Sequence, residues 1–314
     1  MFHGAGRLSD PRAPSAAREK TAIDLVRSGA AESDRSAAMK PSRQSALSMD
    51  RAGVEETAQA AIRSLRARRN PGRAEGVRQY FKHAVVALGI DSPTLRQCGL
   101  DQVKRLQPSW TLAESVALCD RLLQEPEMEI RGLGILILHG FRKEFGLDLL
   151  QPARRWLATR LDNWALVDSF AGMVLSPILE RYPTMAETLR QWSRARPLWV
   201  RRAALVTLVP FARRGTHLDL AYGLVRQHFS DREDLMHKAA GWLLREAGKT
   251  DMPRLKSFLL EHGSSIPRTA LRYAIERFSA AERRALLEAT RPLHAFKEPG
   301  QPPKRTGAHG SRSR

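Results

Sequence analysis

A chain of 314 residues has room for one large domain or two small ones, with a sizeable core. It carries 52 Lys plus Arg against 33 Asp plus Glu, net +19, of which residues 1–55 hold +2 and residues 291–314 hold +5, leaving +12 to 56–290. The excess belongs mainly to the folded part, so a polyanion is the default partner and solubility charge from an Arg-rich genome the plain alternative, while the absence of any apolar run of membrane length argues against a membrane protein.

Residues 1–55 are rich in Ala, Ser, Arg and Gly and are expected to be disordered. Within them "TAIDLVRSGA" is too short to stand alone as a helix, and the opening "MFHGAGRLSDPRAP" lacks an apolar signal core. Helix-period patterns fill 56–290. "ETAQAAIRSLRARR" opens the series, and "TLAESVALCDRLLQ" follows with a capping box, Thr111 and Glu114. "EIRGLGILILHGFRKEF", "LLQPARRWLATRL", "DNWALVDSFAG", "MAETLRQWSRA", "LWVRRAALVTLVPFARRG" and "LMHKAAGWLLREAGK" complete it. Breaks are expected at Pro126, Pro183, Pro197, Gly215 and Pro253. No alternating strand pattern occurs, so the class is all-α. The tail from 291 is basic and Pro/Gly-rich, either inert or a loose hold on phosphates.

The helices repeat. "IRGLGIL" at Arg131, "VRRAALV" at Arg202, "HKAAGWL" at Lys238 and "PRTALRY" at Arg268 share a basic residue, then small residues, then a large apolar one. The steps are 71, 36 and 30 residues, with the helix of "WALVDSF" filling the long gap. A period in the thirties built from helix pairs predicts a HEAT-like solenoid, a curved α-superhelix with a concave face.

Catalytic equipment is sparse. There is no H-E-x-x-H, P-loop, G-x-G-x-x-G or G-x-S-x-G, and neither Cys98 nor Cys119 has zinc spacing, so no metal and no cofactor is expected. Both thiols are read as free in a reducing cytoplasm. The unusual stretch is "DNWALVDSFAG". Asp162 or Asn163 can cap its helix, and Asp168 then sits one turn from Trp164 among apolar neighbours, where a carboxylate needs a reason. Asp168, Arg202 and Trp242 follow one another at 34 and 40 residues. A solenoid would project Trp164, Asp168, Arg202 and Trp242 onto one strip. Two readings stay open: a site for a cationic ligand with a phosphate clamp, or buried Trp packing with an Arg–Asp salt bridge between repeats.

"NWALVDSFAG", "WVRRAAL", "HKAAGWLLRE" and "YFKHAVVALGIDSPTLRQ", in this order and spacing, resemble the DNA alkylation repair family of HEAT-like-repeat DNA glycosylases, the AlkD type. The resemblance spans about residues 56–280. It implies that Asp168 is the catalytic carboxylate, that Trp164 and Trp242 flank the lesion, that Arg202 grips DNA and that Tyr80 lies at the groove. Lys82, Arg201, Lys238 and Arg245 beside these motifs are further candidates for DNA contact. The implied activity is hydrolytic removal of cationic N3- or N7-alkylated purines from duplex DNA without base flipping, by a monomer that needs no metal. No lyase step is expected, although Lys82 and Lys238 remain available for a Schiff base. A non-catalytic binder of damaged or branched DNA, and a protein-binding scaffold, are the competing readings.

Overall fold

The computed structural model describes residues 51–291. They form sixteen α-helices: α1 (Arg51–Ala67), α2 (Pro71–Tyr80), α3 (Ser92–Leu106), α4 (Leu112–Leu122), α5 (Met128–Gly140), α6 (Leu150–Thr159), α7 (Trp164–Phe170), α8 (Ser176–Arg181), α9 (Met185–Ser193), α10 (Leu198–Val206), α11 (Val209–Arg213), α12 (Leu218–Gln227), α13 (Asp234–Ala247), α14 (Met252–His262), α15 (Arg268–Ala274) and α16 (Ala280–Ala289). Among the described residues there is no strand beyond one isolated bridge, Val86 to Glu127. The all-α expectation holds. The first helix starts at Arg51, so the boundary placed at 56 falls inside α1. The disorder expected of 1–50, the "TAIDLVRSGA" segment and the tail beyond Arg291 lie outside the described residues.

The local signals act where the sequence places them. The Glu114 carboxylate accepts the Thr111 N–H at 2.7 Å, closing the capping box of α4. Gly215, at φ 77°, makes the left-handed turn between α11 and α12. Pro253 sits in the first turn of α14, where its missing N–H costs nothing. One pattern runs too long in the sequence reading. "LWVRRAALVTLVPFARRG" is two helices, α10 and α11, because Pro210 has no N–H to continue the first and opens the second.

Helices α5, α7, α10, α13 and α15 pack in succession and form the inner layer of the array. These are the helices that carry the repeated motif. In three of its four copies the basic residue is a clamp between repeats, while Lys238 pairs with Asp234 of its own helix. Arg131 donates to the carbonyl of Arg160 at 2.9 Å, Arg202 to that of Leu235, and Arg268 to that of Leu287 at 3.3 Å, each at the head or flank of the next unit. The small residues let neighbours approach. A Cβ on Gly241 would lie 2.4 Å from the Ala270 carbonyl oxygen and 2.5 Å from Cβ of Tyr273, so α13 and α15 can meet only at a glycine. A large apolar cluster runs from α4 to α16, and a smaller one joins α1, α3, α4 and α5.

The helix holding Asp168 is not regular. Between α7 and α8 it widens into a π turn, Ala171–Leu175. Pro177 explains this, since it offers no N–H to the carbonyl of Met173 four residues back. His139 of α5 fills the vacancy, with Nδ1 2.6 Å from that oxygen. Burial holds the His139 imidazole below its ordinary range, against the pull of the Met173 carbonyl.

Candidate active site

Asn163 is the residue that caps α7. Its side-chain oxygen accepts the Leu166 N–H at 3.1 Å, so the helix begins at Trp164. Asp168 then points at α10. It is 3 % exposed, and Arg202 is 5 % exposed. The two form a fork: Nε of Arg202 donates to Oδ1 at 2.8 Å and Nη2 to Oδ2 at 2.7 Å. Nη1 of Arg202 donates to the carbonyl of Leu235 on α13. One guanidinium thus ties three successive inner helices together. Burial pushes the Asp168 carboxyl above the usual carboxylate range, and the adjacent guanidinium pulls against it. A buried guanidinium keeps its charge and demands an ionised partner, so the pair rests as carboxylate and guanidinium.

Aromatic residues lie on two of these helices. Trp164 is half-buried at the head of α7, and Trp242 on α13 is buried, with an indole N–H that has no hydrogen-bond partner among the described residues. Tyr80 meets Trp164 edge-on, with ring centroids 5.8 Å apart, and Phe81 stacks on it at 5.5 Å and 26°. Beside them opens an apolar cleft of about 770 Å³, lined by Tyr80, Phe81, Met128, Leu136, Trp164 and Met173 among others.

The remaining predicted residues divide. Lys82 and Lys238 converge on Asp234, at 3.6 Å and 3.3 Å, and Lys82 keeps 80 % of its side chain in solvent. Arg201 and Arg245 are held by internal partners. Arg201 spends its donors on Asp231 at 3.2 Å and on the carbonyls of Ala195 and Arg196. Arg245 is 8 % exposed and pairs with Glu276. Each is committed to an internal partner about thirty residues away. Arg202 makes the Arg–Asp salt bridge between repeats that one of the two open readings foresees, and in the free protein its donors face Asp168 and Leu235. Sequence reasoning passed over Phe81, inside a quoted motif, and Asp234, one turn before Lys238.

A family model described as DNA alkylation repair enzyme matches residues 61–278. The chain belongs to the DNA alkylation repair enzyme family. This gives it a role in DNA repair, with DNA as the molecule acted on. A solved structure from Enterococcus faecalis, a predicted DNA alkylation repair enzyme, has the same fold: TM-score 0.61 at 21 % identity, covering 68 % of this chain and 97 % of that one. A search of curated proteins gives no significant match. Among the described residues no helix is long and apolar enough to cross a membrane, and no cluster of His, Cys, Asp and Glu could hold a metal ion. Cys98 and Cys119 are free thiols.

Proposed function

We propose that this repair enzyme is a monofunctional glycosylase that hydrolyses the N-glycosidic bond of cationic N3- or N7-alkylated purines in duplex DNA. The observation that carries the reading is the Asp168–Arg202 fork, buried between helices that also bear Trp164 and Trp242. An alkylpurine with a positive charge is already a good leaving group, so no general acid is required. The C1′–N bond breaks with its electron pair going to the base, which leaves neutral. Positive charge develops on the sugar. A carboxylate in a low-dielectric setting opposes that charge far more strongly than one in water. Water oriented by Asp168 then adds to C1′ and gives its proton to the solvent.

In the resting pair the two charges cancel. A backbone phosphate that draws on the Arg202 guanidinium weakens the fork and leaves net negative charge on Asp168, beside the sugar. Arg202 is therefore a positioning residue for Asp168, and its contact with DNA is made only on binding. Lys82 and Lys238 supply phosphate contacts, Tyr80 and Trp164 one aromatic wall, and Trp242 the other. Indole faces favour a cation by roughly 0.5–2 kcal/mol each, so selectivity follows charge rather than pocket shape. The base need not leave the duplex stack. Arg201 and Arg245 are left with structural roles.

The burial of Asp168 favours one competing reading, in which the fork is only a strut and the protein binds damaged duplex without chemistry. Incubation of the protein with a duplex containing one 7-methylguanine separates the two. Free 7-methylguanine and an abasic site are expected; tight, salt-dependent binding with the lesion intact would establish the binder instead.

A further inference from the structure

After α2 the chain leaves helical structure and crosses the inner layer as a strap, residues 81–91. Its far end is fixed by backbone bonds: the Glu129 carboxylate accepts the N–H groups of Leu88, Gly89 and Ile90, and the Val86 carbonyl accepts from Met128 at 2.9 Å. The near end is held differently. Phe81 stacks on Trp164, His83 tilts against Trp199 at 6.3 Å, and Lys82 reaches Asp234 through solvent-exposed atoms. These contacts touch α7, α10 and α13, the three helices joined by Arg202. The strap therefore lies over the candidate site, pinned at one end and held by ring contacts at the other.

We propose that Phe81 is a specificity-determining residue: in the free protein it occupies the indole face of Trp164 that the damaged nucleotide takes, and the nucleotide must displace it. This rests on the reading of Trp164 as a wall of the lesion site. The stack of Phe81 on Trp164 is an interaction between two neutral rings, about as favourable as the contact that the sugar and base edge of an undamaged nucleotide, still within the duplex stack, would make in its place. Exchange of one for the other gains little. A cation over the same indole gains more, because the ring quadrupole attracts it. Phe81 thus sets a threshold that a neutral nucleotide does not pass and a cationic one does. The displaced ring has an apolar place to go, since Phe81 already lines the cleft beside Trp164.

The test places one 4-fluorophenylalanine at position 81 of the full chain and follows its fluorine resonance. The probes are an undamaged duplex and the same duplex carrying a 2′-fluorinated 7-methylguanosine, which resists cleavage. The resonance is expected to leave its ring-shielded position with the cationic duplex and to hold it with the undamaged one. Phe81→Ala lifts the cost of displacing the ring, so it is expected to bind the cationic duplex roughly five- to tenfold more tightly and to gain less for the undamaged one, which leaves the ring in place. A resonance that ignores the cationic duplex, or moves equally with both, overturns the proposal, as does unchanged affinity for the cationic duplex in Phe81→Ala. The glycosylase reading fails separately, by absence of 7-methylguanine release from a cleavable duplex; a fluorine shift without release would leave Phe81 as a selector in a binding protein.

Discussion

Asp168 and Glu246 are both sealed in the same helical array, 3 % and 2 % exposed, yet the protein moves their acidities in opposite directions. Burial pushes both up. Around Glu246 it is outweighed by Lys249 and by Arg213, whose Nε lies 2.7 Å away, with Arg245 a little farther off at 3.7 Å. Around Asp168 only Arg202 answers, and burial prevails. A carboxylate surrounded by cations is a strut between α11 and α13. One with a single forked partner is held in a state that a nearby positive charge can relieve, which is the condition a catalytic carboxylate needs.

Arg202→Ala breaks this contrast most severely. It strands Asp168 without a partner and should lower stability by about 3–5 kcal/mol in urea unfolding, with base release falling as the carboxyl takes up a proton. Arg202→Lys keeps the charge but loses the two-pronged geometry and should fall between the two. Glu246→Gln leaves excess buried positive charge and should cost a similar amount of stability, while the rate per folded molecule stays within about twofold of wild type.

Smaller changes sharpen the comparison from the scaffold side. Gly241→Ala forces a methyl against the backbone of Ala270 and should cost about 1–3 kcal/mol, by parting α13, which carries Trp242, from α15. His139→Ala leaves the Met173 carbonyl without its donor beside the π turn, again about 1–3 kcal/mol by the same assay.

Acidification should separate the two carboxylates. Release requires ionised Asp168, whose pKa is shifted upward by burial, so the acid limb of the rate should have its midpoint above the ordinary value of about 4. Glu246 is shifted downward. Its contribution to stability is full above about 4.3 and is lost as pH falls through the lower folded value, so the stability gap between wild type and Glu246→Gln should close only there.

The helices, their breaks and the repeat were legible because each follows from local chemistry: Asn163 and Thr111 as caps, Gly215 as a left-handed turn, small residues where inner helices meet. The pairing of Asp168 with Arg202 was legible because a helical repeat turns a sequence period into adjacency. What the sequence could not show is which arginines face water. Arg201, Arg202 and Arg245 read alike in the chain, and their fates depend on Asp231, Asp168 and Glu276, each about thirty residues away across a repeat boundary. The π turn was hidden because a proline after three apolar residues reads as a helix end, unless a donor such as His139 arrives from another helix. Phe81 was hidden because the path of a strap has no period.

The central claim is that Asp168 carries chemistry and Glu246 carries structure. Its most direct test is single-turnover release of 7-methylguanine from duplex by Asp168→Asn and Glu246→Gln, each at a temperature where it is folded. The expected result is a loss of roughly 100-fold or more for Asp168→Asn, the scale set by removing one electrostatic stabiliser, and a near wild-type rate for Glu246→Gln. Equal rates in the two variants, whether both fast or both slow, would contradict it.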